Sequence, residues 1–354
     1  MNKDILALIE KLKNIHSLTK EEYLSLIKAR NKETAEFLMK YAVEEREKYY
    51  GREVFIRGLI EISNICKNDC YYCGIRKSNP NCQRYRLTPE DILMCCKEGY
   101  ELGFRTFVLQ GGEDGYFTDD ILTNLIKDIK KDYPDCAVTL SLGERSRDSY
   151  EKLRNAGADR YLLRHETADR KHYETLHPPA LSFENRMRCL NDLRELGFQV
   201  GCGFMVGSPG QTDEHLAGEL KFIEEFKPDM CGIGPFIPHK DTMFKDEKPG
   251  SADITCYLLS IIRLIHPRVL LPATTALGTL SESGRERGIL SGANVVMPNL
   301  SPSGVRKKYM LYDNKLSDGA ESAQAKEELK KRIESIGYTV SLSRGDVYKK
   351  DTDK

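Results

Sequence analysis

VFIRGLIEISNICKNDCYYCG, residues 54–74, joins a nine-residue apolar run to three cysteines spaced C-x3-C-x2-C. The run 54–62 is rich in β-branched residues and predicts a strand, and the cysteines follow it as a loop. Outward from this stretch the same rhythm repeats. Strands are expected at 105–110, 136–142, 159–164, 198–206, 230–236, 268–273 and 294–298, and helices at 88–101, 119–131, 147–156, 182–196, 212–226, 251–265 and 281–288. Eight strands alternating with helices predict an α/β fold, a (βα)8 barrel of TIM type, with a doubly wound open sheet as the rival. Residues 1–50 read as three helices, at 2–14, 19–29 and 33–48, packed on the barrel as an N-terminal extension. The barrel is expected over 51–305, and 306–354 as a C-terminal cap and tail, with a charged helix at 319–336 and a strand-like YTVSL after it.

The chain has 354 residues, 40% of them hydrophobic, enough for a large core, and equal numbers of acidic and basic residues. A net charge of zero argues against nucleic acid or an anionic membrane as the main partner. No apolar run reaches the length of a transmembrane helix, and the N-terminus lacks the pattern of a secretory signal, so the expected location is the cytoplasm. Eleven cysteines, none after Cys256, do not suggest a disulfide framework. Cys95, Cys189, Cys202, Cys231 and Cys256 fall in apolar-periodic stretches and read as buried small hydrophobes.

Cys66, Cys70 and Cys73 are different. Three thiolates on one loop can hold three irons of a cubane and leave the fourth open to a small molecule. The alternatives are a zinc knuckle, for which Cys82 makes a poor fourth ligand, and three unlinked thiols. In a barrel the chemistry gathers at the C-terminal ends of the strands, where GGED (111–114), SLGE (141–144), RHET (164–167), MVGSPGQT (205–212) and PATTALGT (272–279) also fall. Glu166 and Arg186 form a matched pair for the ammonium and carboxylate of an amino acid, unless each joins a surface ion pair. Met205 could pack on an aromatic base or simply belong to the core.

The cysteine loop, with Tyr72 before its third cysteine, resembles the radical S-adenosylmethionine superfamily, and Gly111, Gly112 and Glu113 resemble its GGE motif. The resemblance implies a 4Fe–4S cluster on the three cysteines. S-adenosylmethionine is bound through the open iron and cleaved reductively to a 5′-deoxyadenosyl radical, with Glu113 supporting the methionine ammonium. LSLGE (140–144), YLLRHETA (161–168), SFENR (182–186), GIGPFIPH (232–239) and GANVVMPN (292–299) together are similar to the FeFe-hydrogenase maturases of the HydE family, over most of the chain. That similarity implies cofactor contacts from Tyr72, Ser141, Glu166, Arg186, Met205 and Ile237. It implies a substrate cavity lined by Thr139, Arg164, Thr274, Thr275, Tyr309 and Tyr312. Hydroxyls and one guanidinium make a polar, cationic pocket suited to a carboxylate or an anionic iron complex.

The family's role is assembly of the di-iron part of the hydrogenase H-cluster. It implies a small-molecule or iron-complex substrate, a cysteine-bound iron species carrying CO and cyanide attacked at sulfur. A reduced ferredoxin- or flavodoxin-type electron donor and contact with sister maturases are implied as well. SDGAESAQAKEELKK (317–331) holds no cysteine, so the second cluster that some members carry there is not expected. The competing readings are another enzyme of the biotin synthase or methylornithine synthase group, and a non-catalytic metal-binding scaffold.

Overall fold

A computed structural model describes residues 2–317 and 319–348; the last residues of the expected C-terminal tail lie outside the described residues. The N-terminal helices are α1 (Lys3–Ile15), α2 (Lys20–Lys28) and α3 (Lys32–Tyr50). The chain continues as β1 (Glu53–Ile56), β2 (Gly58–Ser63), α4 (Pro89–Glu101), β3 (Thr106–Gly111), α5 (Asp119–Asp132), β4 (Ala137–Ser141), α6 (Arg147–Asn155) and β5 (Arg160–Leu162). Next come α7 (Arg170–Leu176), α8 (Phe183–Glu195), β6 (Gln199–Cys202), β7 (Met205–Val206), α9 (Asp213–Phe226), β8 (Met230–Cys231), β9 (Gly234–Pro235) and α10 (Ala252–Ile265). The last elements are α11 (Thr275–Leu280), α12 (Gly284–Leu290), β10 (Val295–Val296), α13 (Ser303–Arg306), α14 (Lys326–Ser335) and β11 (Thr339–Ser341).

Six parallel strands run in the order β2-β3-β4-β5-β6-β8, and β7 pairs with β9 as a two-stranded continuation of β6 and β8. Parallel bridges Met230↔Leu270, Pro272↔Val295 and Leu59↔Asn299 carry the sheet round from β8 to β2 and close it. The molecule is therefore a closed (βα)8 barrel. Alternation explains its layers. Ile60 and Ile62 of β2 are fully buried in the main apolar core, while Leu59 and Glu61, alternating with them, face the interior cavity. Each fully buried isoleucine stabilises the fold by roughly 1.5–3 kcal/mol.

The structure differs from the expected elements at named places. The run 54–62 is two strands broken at Arg57, because β1 pairs with β10 and β11 while β2 pairs with β3. The runs 198–206 and 230–236 each break at a glycine. Gly203 has φ +153°, and a Cβ there would lie 2.0 Å from the Gly232 carbonyl oxygen. Residues 268–273 hold their place through single bridges rather than a continuous ladder. Helices α7 and α11 lie in segments read as loops, and α12 spans 284–290 rather than 281–288. The expected helix 319–336 starts only at Lys326, after two 3-10 turns at Gly319–Glu321 and Ala323–Ala325.

The N-terminal helices are fastened to the barrel from outside. The Tyr23 hydroxyl donates to Glu224 at 2.6 Å, and fully buried Arg46 donates to the carbonyls of Ile289, Ala293 and Glu53. The tail after β11 fastens to the opposite end. Arg57 donates to the Gly345 carbonyl, Arg160 to the Arg344 carbonyl and to Asp346 Oδ1 at 2.6 Å, and Thr106 to the Arg344 carbonyl at 2.7 Å. These partners sit at the N-terminal ends of β2, β5 and β3, so the tail closes the floor of the barrel.

Burial would raise the Asp346 carboxyl, but Arg160 and Arg344 outweigh it and hold it at about 2. A depressed carboxylate stabilises the fold above its unfolded value of about 3.9, and that stability is lost as pH falls toward about 2. The side chain keeps 39% of its exposure, so screening leaves a contribution of about 1 kcal/mol. Asp346→Asn should therefore lower the urea midpoint at pH 7, and its difference from the parent should shrink between about pH 4 and pH 2. A constant difference across that window would refute the ion-paired floor.

Candidate active site

The cysteine loop leaves the C-terminal end of β2 and is held by backbone-directed contacts. Lys67 N donates to the Glu113 carbonyl at 3.0 Å, Tyr71 N to the Leu176 carbonyl at 3.0 Å and Gly74 N to the Leu311 carbonyl at 2.9 Å. Arg84 ties the loop together by donating to the carbonyls of Asn64, Ile75 and Arg76. Cys66, Cys70 and Cys73 all line one cavity of about 330 Å³. Burial raises all three thiols: Cys66 above its ordinary value, Cys73 to about 12 and Cys70 well above its ordinary value, with Cys73 adding to the rise at Cys70. The thiols are thus near enough to oppose one another's ionisation, and iron binding must displace their protons.

Among the described residues no three His, Cys, Asp or Glu side chains converge on the coordination distance of a single ion. Three thiolates without a fourth paired ligand are a donor set that fits a cluster with one open iron better than a closed zinc knuckle.

The GGE turn packs directly under this loop. Glu113 N donates to Cys66 Sγ at 3.4 Å. A Cβ on Gly112 would lie 2.3 Å from the Ile65 carbonyl oxygen, so only glycine allows the approach. Gly111 also lines the cavity. The Glu113 carboxylate accepts from Glu144 N at 2.9 Å and pairs with Lys67 at 3.0 Å. Asp114 turns away to anchor the turn, accepting both nitrogens of Arg86 and the Ser63 hydroxyl, each at 2.7 Å.

Across the cavity, Arg186 of α8 is buried, donating to Glu144 Oε1 and to the Arg164 carbonyl, both at 2.5 Å. Burial would lower its guanidinium, but Tyr173 and Glu144 outweigh that and hold it above its ordinary value. The pair foreseen for an amino acid is arranged differently from a simple ion pair: Arg186 binds Glu144, and Glu166 pairs with Arg164 at 3.1 Å. Glu166 has φ +66°, a left-handed conformation that costs a non-glycine residue about 1–3 kcal/mol. Its Oε2 and Arg164 Nη2 meet as an ion pair too poorly aligned to count as a hydrogen bond, and the Arg164 Nε and the Thr274 and Thr139 hydroxyls are buried without a hydrogen-bond partner. Such groups are costly unless a ligand satisfies them.

Met205 packs with Leu176, Phe236 and Tyr72, an apolar wall suited to the flat face of a base. The Tyr72 hydroxyl lies 3.3 Å from His177 Nε2, and burial and Arg186 lower that imidazole to about 3, keeping it neutral.

Ser141, Ile237, Thr275, Tyr309 and Tyr312 complete the lining together with Glu166, Arg186, Met205, Arg164 and Thr274. Thr139 does not reach the lining; it lies two residues below Ser141 on β4, buried. Thr275 is engaged by Arg285 and Glu321 rather than free. Glu61, Asn68, Gln110 and Lys315 also line the cavity and were not foreseen. A lone carboxylate inside the apolar run 54–62 was the available signal for Glu61.

Three cysteines at the top of a closed barrel, over a cavity with unsatisfied polar groups, define the radical S-adenosylmethionine class of enzymes. The family model described as the radical SAM superfamily matches residues 60–223. The FeFe hydrogenase maturase subunit HydE of Thermotoga maritima is 47% identical over 309 residues, 87% of this chain and 88% of that protein. The solved structure of a methylornithine synthase has a TM-score of 0.83 at 27% identity, covering 94% of this chain and 97% of its own. A crystal structure of HydG, described as a maturase of the FeFe-hydrogenase, has a TM-score of 0.81 at 23% identity, covering 96% and 76%, a likeness of fold. The chain belongs to the HydE family of radical SAM hydrogenase maturases. Its cofactors are those of the class, a 4Fe–4S cluster and S-adenosylmethionine. No helix among the described residues is long and apolar enough to cross a membrane.

Proposed function

We propose that Cys66, Cys70 and Cys73 hold the cluster and that this chain acts in the cytoplasm on a cysteine-bound, anionic iron precursor of the H-cluster, with attack at sulfur. The observation that carries this reading is a set of buried polar atoms left without a hydrogen bond, on Arg164, Glu166 and Thr274, in the same cavity as the three cysteines; Arg164 and Glu166 meet only as an ion pair. When bound, the cluster and S-adenosylmethionine supply the chemistry: one electron passed to the sulfonium releases methionine and the 5′-deoxyadenosyl radical.

The chain's own residues orient the reactants. Glu113 and Glu166 accept from the methionine ammonium, Arg186 offers charge to its carboxylate, and Tyr72, Met205 and Ile237 exclude water around the nucleoside. Gly111, Gly112 and Ser141 let the backbone and a small hydroxyl approach closely. Thr274, Thr275, Tyr309 and Tyr312, with Arg164, hold the substrate beyond it, and Thr139 supports them from below. In this reading residues 1–50 are a packing extension, 51–305 the catalytic barrel and 306–354 the cap. A reduced ferredoxin- or flavodoxin-type protein supplies the electron, and sister maturases supply the substrate or take the product.

Anaerobic reconstitution should give about four irons per chain, and dithionite with S-adenosylmethionine should release 5′-deoxyadenosine. Arg186→Gln should weaken S-adenosylmethionine binding about tenfold, the loss of roughly 1.4 kcal/mol from a charge-assisted contact, with iron content retained. Turnover of lysine to methylornithine by the purified protein would defeat the assignment to H-cluster assembly.

A further inference from the structure

The cavity holds a buried ion pair that the proposed contacts leave unexplained. Lys315 Nζ donates to Glu61 Oε1 at 2.6 Å, with side-chain exposures of 6% and 0%. Both residues line the cavity that the cysteines line. Glu61 is satisfied from two sides, since Asn299 Nδ2 donates to its Oε2 at 2.9 Å. Lys315 is not. An ammonium has three donors, Glu61 takes one, and among the described residues no second protein acceptor takes another. Its other neighbour is the Tyr309 ring, whose centroid is 5.3 Å from Nζ, and the Tyr309 hydroxyl in turn accepts from Gln110 at 3.5 Å.

A buried lysine–glutamate pair is a weak stabiliser, because desolvation consumes most of the attraction, and apolar residues of equal volume serve a core as well or better. The arrangement is asymmetric in a way that stability does not require: the anion's lone pairs are shared out while the cation keeps donors in reserve. Lys315 also stands on the segment between α13 and α14, which brings Tyr309, Leu311 and Tyr312 to the cavity. A ligand anion held by Lys315 would therefore touch the same wall as the foreseen substrate residues.

Resting on the proposed reading of this cavity as the substrate site, we propose that Lys315 is a substrate-contacting residue. Its ammonium, aimed by Glu61, takes an anionic group of a small-molecule substrate. Glu61 and Asn299 are positioning residues that act through it.

The test uses the reconstituted holoenzyme with S-adenosylmethionine bound and malonate as the anionic probe, read by calorimetry. Lys315→Met leaves Glu61 buried without its partner and could unfold, so the decisive variant is Glu61→Gln with Lys315→Met, which removes both charges and keeps the volume. The expected result is malonate affinity at least tenfold weaker in the double variant, while Lys315→Arg stays within about threefold of the parent. Exchanging the pair, Glu61→Lys with Lys315→Glu, preserves the attraction but moves the cation; a merely structural pair predicts full malonate affinity there, and a substrate contact predicts none. Parent-like affinity in either the double variant or the exchanged pair, or no malonate binding by the parent, overturns the assignment. Release of 5′-deoxyadenosine by the parent is scored separately, so failure of the class chemistry is distinguishable from failure of this contact.

Discussion

Cys70→Ala is expected to fold normally and to release 5′-deoxyadenosine at least about a thousandfold more slowly than the parent, at the background of the assay. In the proposed reading the cubane is held by three thiolates from one short loop, and two would not hold its geometry. The loss should not be a folding defect. The loop is held by the Arg84 contacts and by the backbone bonds of Lys67, Tyr71 and Gly74, none of which involves a Cys70 sulfur. Far-UV circular dichroism and the urea midpoint of the unloaded proteins should therefore coincide, while iron per chain falls. Cleavage at the parent rate with Cys70 gone would end the cluster assignment.

Gly112→Ala is expected to cost about a hundredfold in the same cleavage, from a single methyl group that itself takes no part in the chemistry. The new Cβ would lie 2.3 Å from the Ile65 carbonyl oxygen and 2.8 Å from Cys66 Cβ. The first of these is backbone and cannot rotate away, so the GGE turn and the cysteine loop must part. The strain is about 1–3 kcal/mol, and the movement falls on one corner of the cluster and on Glu113 together. Gly115→Ala, three residues on, has nothing within 4 Å of its added Cβ and should behave as the parent. Equal activity of the two variants would show that the close packing of turn against loop does not set the site.

Much of this was legible locally. A strand is a period-two pattern, a turn after it is marked by glycine, and the three cysteines that the structure brings to one cavity are spaced within eight residues of chain, Cys66 to Cys73. Where the reading failed, distant contacts had overruled local preference. The stretch 319–336 has the alanine, glutamate and lysine content of one helix. Residues 319–321 and 323–325 form 3-10 turns instead, because Asn299 N donates to the Glu321 carbonyl, Ala323 N donates to the Asn299 carbonyl, and the Glu321 carboxylate is drawn to Arg285. The break at Arg57 is similar: one extended run serves two sets of neighbours, and only the closed barrel decides where it changes partners.

The amino-acid order alone pointed to the class of chemistry: three cysteines on one short loop, a glycine turn beside them, and alternating elements that put both at the same end of a barrel. The tertiary structure alone decided which charges share the cavity. It paired Arg186 with Glu144, left Glu166 facing Arg164 without alignment, and brought Lys315 to Glu61 across 254 residues of chain. The physical reason is range. Spacing along the chain controls what a loop can ligate, but electrostatic partners separated by most of the sequence are chosen by packing, which no local pattern records.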